Sequence, residues 1–292
     1  MSVDNATPVA DSGTTIDRQG SVDVNGRTVR YFTSSGFGED RSPVVLVHGT
    51  GGSTYSHFPF LFPMLATAQP VISVDLATPD GPPEEGAVRL AEQVAAVIEE
   101  TAGGRPVTLA GYSLGSVVAA ATAASRPDLA GGLIMFSGWL KTDAQQRLRN
   151  DLWHRLRADD PDALRSFHVY CAFSAGFLAV CAPSDIEALI ASAPFDDDTA
   201  KQMEINRAVD LTPIVGDIAC PTLIVAGTED QMTPYRQSKA LFGAITDARF
   251  TDVTSGHAMV LERPAEMLHL ATTFNADPHR FPAGTILPRR HP

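Results

Sequence analysis

The sequence predicts an α/β protein, with a mostly parallel sheet between two layers of helices and a helical insertion late in the chain. Three observations carry this. Short continuous apolar runs, such as Val44-Val45-Leu46-Val47, suit strands buried on both faces. These runs alternate with helical patterns, which implies parallel crossovers. The alternation lapses between about residues 139 and 212, where helical patterns continue without a convincing strand.

Taken in order, residues 1–19 are polar and short of large apolar side chains, so they are expected to be a flexible tail. Residues 21–26 and 28–32 alternate apolar and polar around Asn25-Gly26, a hairpin signal. Residues 43–47 and 71–75 read as buried strands, with a mixed helical stretch near 57–65 between them. Breakers fill 77–83. Val88, Leu90, Ala91, Val94, Ala95, Val97 and Ile98 then recur at helical spacing. A strand at 106–110, a helix over 116–124 and a strand at 132–136 follow. After the insertion come a strand at 221–227, a helix near 234–242, a strand near 249–253 and a helix near 264–274. The predicted units are a core of 20–138 and 213–275, a helical cap of 139–212 and a C-terminal tail of 276–292, rich in proline.

Composition narrows the function classes. The chain has 292 residues, 44% hydrophobic and 19% charged, ordinary for a globular protein with a substantial core. Its net charge of −12 argues against nucleic acid and anionic membranes as partners, because both select a basic surface. The first ten residues lack a basic segment followed by an apolar one, and no apolar run is long enough to span a bilayer. A cytoplasmic location follows as the expectation. Cys171, Cys181 and Cys220 are few, odd in number and without Cys-x-x-Cys spacing, which favours free thiols over a zinc site or disulfide framework.

The chemistry centres on Gly111-Tyr112-Ser113-Leu114-Gly115, between a predicted strand and a predicted helix. In that context Gly-x-Ser-x-Gly puts a serine on a sharp turn at the carboxyl end of a sheet. The helix that follows offers unpaired N–H groups, and Leu114 N–H is placed to receive a developing oxyanion. A serine hydroxyl needs an adjacent base. Among eight histidines, His257 stands out, just past a predicted strand in Thr254-Ser-Gly-His-Ala258. His154, His168 and His269 fall in helical patterns, His279 and His291 in the tail. His48 follows a strand and is expected to hold its loop; His57 is assigned to a surface helix, with the pocket mouth as the alternative. The base needs an acid to orient it. Asp230 follows a buried strand in Gly227-Thr-Glu-Asp-Gln-Met-Thr-Pro234. Its rivals are Glu229 beside it and Asp75, which reads better as a loop-capping carboxylate. The second oxyanion donor is assigned to Thr50 N–H, in the glycine-rich turn His48-Gly-Thr-Gly-Gly52. A phosphate loop is excluded there, because neither nucleotide-binding glycine pattern is present.

Together these motifs resemble the α/β-hydrolase fold, of the esterase, lipase and thioesterase type. The matching segments are His48 to Gly51 after a strand, the turn at Ser113, Gly227-x-x-Asp230-x-x-x-Pro234, and Gly256-His257 followed by Glu262-Arg-Pro264. They cover roughly residues 20–275, in the chain order Ser, Asp, His that such hydrolases use. The resemblance implies Ser113, Asp230 and His257 as the catalytic triad and Thr50 and Leu114 as the oxyanion hole, with no metal or organic cofactor. The serine nucleophile separates the chain from relatives that use Asp or Cys. One departure lies at Leu76-Ala-Thr-Pro-Asp-Gly-Pro-Pro83, where many relatives have Gly-x-Gly-x-Ser, and this leaves one pocket wall undefined.

The expected reaction is acyl transfer from a carboxylic ester, lactone or thioester of a small, largely apolar molecule, with the cap forming a lid over Ser113 and an apolar pocket for a medium-sized acyl or lactone group. A lyase or cyclase using the same triad and a silent binding protein are the alternatives. The expected partner is a small-molecule acyl substrate, with a homodimer as the candidate assembly. Gly51, Tyr112, Trp139, Phe173 and Phe177 are the expected pocket residues. Phe167 and Trp153 are assigned to the cap's own core. The insertion has no basic cluster, which disfavours phosphorylated or strongly anionic substrates.

Overall fold

The computed structural model describes residues 18–34, 42–193 and 195–289. Most of the predicted N-terminal tail, and His291, lie outside these. The described residues form one eight-stranded sheet, ordered β1-β2-β4-β3-β5-β6-β7-β8. Its strands are β1 (Arg18–Val24), β2 (Arg27–Thr33), β3 (Val44–Val47), β4 (Val71–Asp75), β5 (Val107–Tyr112), β6 (Ala130–Phe136), β7 (Thr222–Gly227) and β8 (Ala248–Val253). Because β1 begins at Arg18, residues 18 and 19 are strand rather than tail. The β1–β2 hairpin and the β2–β4 pair are antiparallel; β4-β3-β5-β6-β7-β8 run parallel.

The central strands read as unbroken apolar runs because both their faces are covered. Val45, Val47, Leu109, Leu133 and Met135 join one core cluster. Their chain neighbours Val44, Leu46, Ala110, Ile134 and Phe136 join a second on the opposite face. Alternation across a strand therefore decides which helices each side chain meets. The helices between strands are α1 (Thr54–His57), α2 (Leu61–Ala66), α3 (Gly86–Ala102) and α4 (Leu114–Ser125). Residues of α3 and α4 pack into the first cluster and those of α2 into the second.

Between β6 and β7 the described residues contain helices and no named strand: α5 (Ala144–Asp159), α6 (Pro161–Ala172), α7 (Ala175–Val180), α8 (Pro183–Ser192) and α9 (Asp197–Ala208). Their starts are written locally. Asp143 and Gln146 form a capping box at α5, and Asp160, Ser174 and Asp196 cap α6, α7 and α9. Pro161 and Pro183 occupy first-turn positions where no N–H is required.

The chain ends with α10 (Tyr235–Ala244), α11 (Met259–Glu262) and α12 (Pro264–Ala276). Beyond α12 the C-terminal segment returns along β8. Phe250 N–H donates to Thr285 O, and Leu287 N–H donates to Phe250 O. The outer edge of β8 is thereby partly covered. No helix among the described residues is long and apolar enough to cross a membrane.

Candidate active site

β3 and β5 are neighbours, yet the chain leaves β3 for β4 on one side and reaches β5 on the other. Such a reversal opens a crevice at the carboxyl edge of a parallel sheet. The loop after β3 carries Thr50, and the turn after β5 carries Ser113. The loops after β7 and β8 bring Asp230 and His257 to the same edge.

Ser113 sits at φ 55°, ψ −122°, a left-handed conformation unfavourable for a residue with a side chain. The flanking glycines make the turn possible. A Cβ on Gly111 would meet the Gly115 carbonyl, and one on Gly115 the Val47 carbonyl. Ser113 N–H donates to Phe136 O at 2.9 Å, and Ser116 Oγ donates to Gly111 O at 2.6 Å, tying the turn to β6 and to itself. Leu114 is the first residue of α4, so its N–H has no intrahelical acceptor.

His257 Nε2 lies 2.8 Å from Ser113 Oγ, and His257 Nδ1 lies 2.8 Å from Asp230 Oδ2. A carboxylate accepts, so Nδ1–H donates to Asp230 and Nε2 is left to accept the serine proton. The other Asp230 oxygen, Oδ1, accepts from Met232 N–H at 2.9 Å and Thr233 N–H at 2.7 Å. All three residues are at most 9% exposed. The rival carboxylates go elsewhere. Asp75 Oδ1 accepts from Thr54 N–H and Thr54 Oγ at 2.7 and 2.8 Å, which holds the start of α1, in keeping with the capping role expected of it. Glu229 is exposed.

His48 holds its loop as expected. Its Nδ1 lies 2.8 Å from Gly49 O, and Leu76 N–H donates to its Nε2 at 2.9 Å. Burial lowers its pKa. His57 ends the one-turn helix α1, but its half-buried side chain borders the cavity instead of standing on an open surface. Its ring packs edge-on against Tyr112 and accepts Gly49 N–H at 3.1 Å, and it lines the cavity over Ser113. Burial first, then the charges of nearby histidines, pull its pKa down to about 3. Burial pushes the Tyr112 phenol up.

The cavity measures about 130 Å³. That is close to the ~150 Å³ of an engineered apolar cavity that accepts benzene. Thr50, Ser113 and His257 line it, together with Tyr112, Trp139 and Phe173 of the five expected pocket residues. Two predicted pocket residues do not. Gly51 turns its N–H to Gln202 Oε1 at 2.8 Å, fastening the β3 loop to α9. Phe177 stacks behind Phe173, with centroids 5.0 Å apart, in a cluster with Met232 and Leu261.

Other lining residues were not foreseen. Gln146, Arg149, Asn150 and Trp153 face the cavity from α5; Thr199, Met203 and Asn206 do so from α9. Trp153 thus does more than build the cap's interior, although it also packs with Leu164 and Met203. The signal existed, since 146, 149, 150 and 153 form one helical stripe. His168 also lines the cavity, and burial together with the Arg149 charge pulls its pKa down to about 4.

Glu262 joins the cap to the His257 loop. Its carboxylate accepts from Ser174 N–H at 2.9 Å, Ser174 Oγ at 2.7 Å and Gly256 N–H at 3.1 Å. Among the described residues no group of three or more His, Cys, Asp or Glu side chains is placed to hold a metal. All three cysteines are free thiols.

A family model described as "Alpha/beta hydrolase family" matches residues 44–270. The chain is 29% identical to "Pyrrolizixenacetamide deacetylase" of Xenorhabdus hominickii over 238 residues, 79% of this chain and 90% of that relative. It is 25% identical to "Putative carbamate hydrolase RutD" of Escherichia coli over 252 residues, 79% of this chain and 94% of the relative. Among solved structures, a hydrolase from Pseudomonas aeruginosa superposes with a TM-score of 0.75 at 20% identity, covering 88% of this chain and 98% of that one. An enol-lactonase from Burkholderia xenovorans gives 0.72 at 19% identity, covering 88% and 100%.

Proposed function

This chain belongs to the alpha/beta hydrolase family, and we propose that it is a serine hydrolase working through an acyl-enzyme on Ser113. The observation that carries this reading is the buried chain Ser113 Oγ–His257 Nε2 and His257 Nδ1–Asp230 Oδ2, each 2.8 Å, opening on a cavity. Ser113 Oγ attacks the acyl carbon as its proton passes to His257 Nε2. Asp230 holds the imidazole in the tautomer that can accept it and stabilises the imidazolium. The N–H groups of Thr50 and Leu114 receive the oxyanion. His257 returns the proton to the leaving group, then draws one from water as water attacks the acyl-serine. The mechanism requires no cofactor.

The substrate is a small molecule bearing an ester, lactone, thioester or amide. Two of the relatives above are named for cleaving an acetamide and a carbamate, so acyl–nitrogen bonds belong beside esters among the candidates. The small cavity favours a short acyl group. The test is a panel of p-nitrophenyl acetate, an N-acetyl pyrrolidine, a γ-lactone and an acetyl thioester, run in H₂¹⁸O. One ¹⁸O in the released acid, lost in Ser113→Ala, is expected. Turnover without ¹⁸O in the acid points instead to lyase or cyclase chemistry on the same residues.

A further inference from the structure

The cap carries a cation into the cavity. Arg149, on the stripe of α5 that faces Ser113, lines the cavity; the residue is half-buried, and its Nε is fully buried. Its Nε is buried with no hydrogen-bond partner, and among the described residues Arg149 makes no hydrogen bond and no ion pair. Among the described residues no Asp or Glu lines the cavity. The Cys171 thiol and the Asp230 carboxylate are the acidic groups that act on Arg149 through space, and the Asp230 oxygens are already committed to His257, Met232 and Thr233. His168, facing the same space, is held neutral at physiological pH.

An arginine cannot shed its proton to escape burial. A buried charge without a partner is costly, and such groups persist where something else supplies the counter-charge. The guanidinium fork matches a planar carboxylate in bidentate geometry. One guanidinium balances one negative charge, so a monocarboxylate fits, whereas a phosphate dianion leaves a charge uncompensated. The absence of a basic cluster in the cap, read from sequence, is therefore only half of the account.

We propose that Arg149 anchors a carboxylate-recognition subsite on the cap side of the cavity, so that the acyl donor carries one carboxylate remote from the bond being cleaved. As a substrate assignment this rests on the serine-hydrolase reading above; as a binding site it does not. Arg149 is a specificity residue, and the reacting atoms lie across the cavity at Ser113.

The probes are the monomethyl and dimethyl esters of succinate, glutarate and adipate. Binding is measured by calorimetry on Ser113→Ala, and turnover on the unaltered protein. At least one monoester should bind Ser113→Ala about 10- to 100-fold more tightly than its diester, the range for hydrogen bonds to a charged group. Adding Arg149→Met should erase that ratio, and Arg149→Lys should keep part of it. Arg149→Met alone should melt no lower than the parent, because it removes an uncompensated buried charge. Equal binding of monoester and diester, or a preference that survives Arg149→Met, overturns the subsite. An Arg149→Met protein that melts well below the parent assigns the side chain to packing and overturns it too. Monoester preference in binding without any turnover would leave the subsite standing and remove the hydrolase reading; turnover without carboxylate preference would do the reverse.

Discussion

At the carboxyl edge of the sheet, Ser113, His257 and Asp230 satisfy one another in a chain of hydrogen bonds, and the Asp230 oxygens have partners on both sides. In the cap above, Arg149 Nε, Asn150 Oδ1 and Asn206 Oδ1 are buried without partners. The difference separates two tasks. A satisfied network holds its geometry before substrate arrives, which is what charge stabilisation in a transition state requires. An unsatisfied one has binding capacity left for a ligand. The sheet edge is therefore assigned the chemistry and the cap the selection.

The largest expected effect falls on the sheet edge. Asp230→Asn should lower kcat by on the order of 10⁴, the loss seen for the corresponding change in the trypsin example, with little change in KM. Asp75→Asn, at the rival carboxylate, should lower Tm and spare kcat, since Asp75 secures Thr54. Steady-state kinetics and thermal melts on both variants decide this; a crippled Asp75→Asn beside a nearly silent Asp230→Asn would reverse the assignment.

Within the cap, residues that line the cavity and residues behind it should respond differently. Trp139→Ala should raise KM for a short ester. Phe177→Ala should leave that KM unchanged and cost about 2 kcal/mol of stability, less than a fully buried Phe because the ring is only half-buried. A raised KM in both variants would put Phe177 back at the opening.

The seam between the regions is expected to contribute less. Glu262→Gln removes a charged acceptor from Ser174 and Gly256 and should destabilise by about 1–2 kcal/mol. Proteolysis within the cap should rise with it; an unchanged protease pattern and Tm would mean the cap docks by other contacts.

The remaining effect concerns pH. His57 and His168 have pKa values lowered to about 3 and about 4 in the folded chain, against 6.5 for the free side chain. The unfolded chain takes up protons first as pH falls, so the stability these neutral rings contribute is complete above pH 6.5 and drains away towards pH 4 and 3. Tm should fall between pH 7 and pH 5, and by less in His168→Gln. An identical fall in that variant would mean His168 does not contribute.

The strands were legible because burial on both faces leaves one kind of residue available, as in Val44 to Val47. Ser113, Asp230 and His257 were legible because each follows a buried strand in a turn that its neighbours dictate. The cap was legible as helices and not as a surface. A polar stripe on a helix ordinarily faces solvent, so the shared face of Gln146, Arg149, Asn150 and Trp153 was visible in the spacing while its polar composition pointed outward rather than to the cavity. Aromatic rings mark buried faces without saying which cavity they border, which is how Phe177 and Trp153 came to exchange roles. His57 was hidden for another reason. Its helix is a single turn, too short to display a period, and its partner is the Gly49 backbone.

The central claim is that the sheet edge performs covalent chemistry at one serine. It is tested most directly by treating the protein with a fluorophosphonate and measuring its intact mass. The account predicts a single adduct, mapped by peptide sequencing to Ser113, absent in Ser113→Ala and strongly slowed in His257→Ala. No adduct on the folded protein, or one on a different serine that persists in Ser113→Ala, would contradict it.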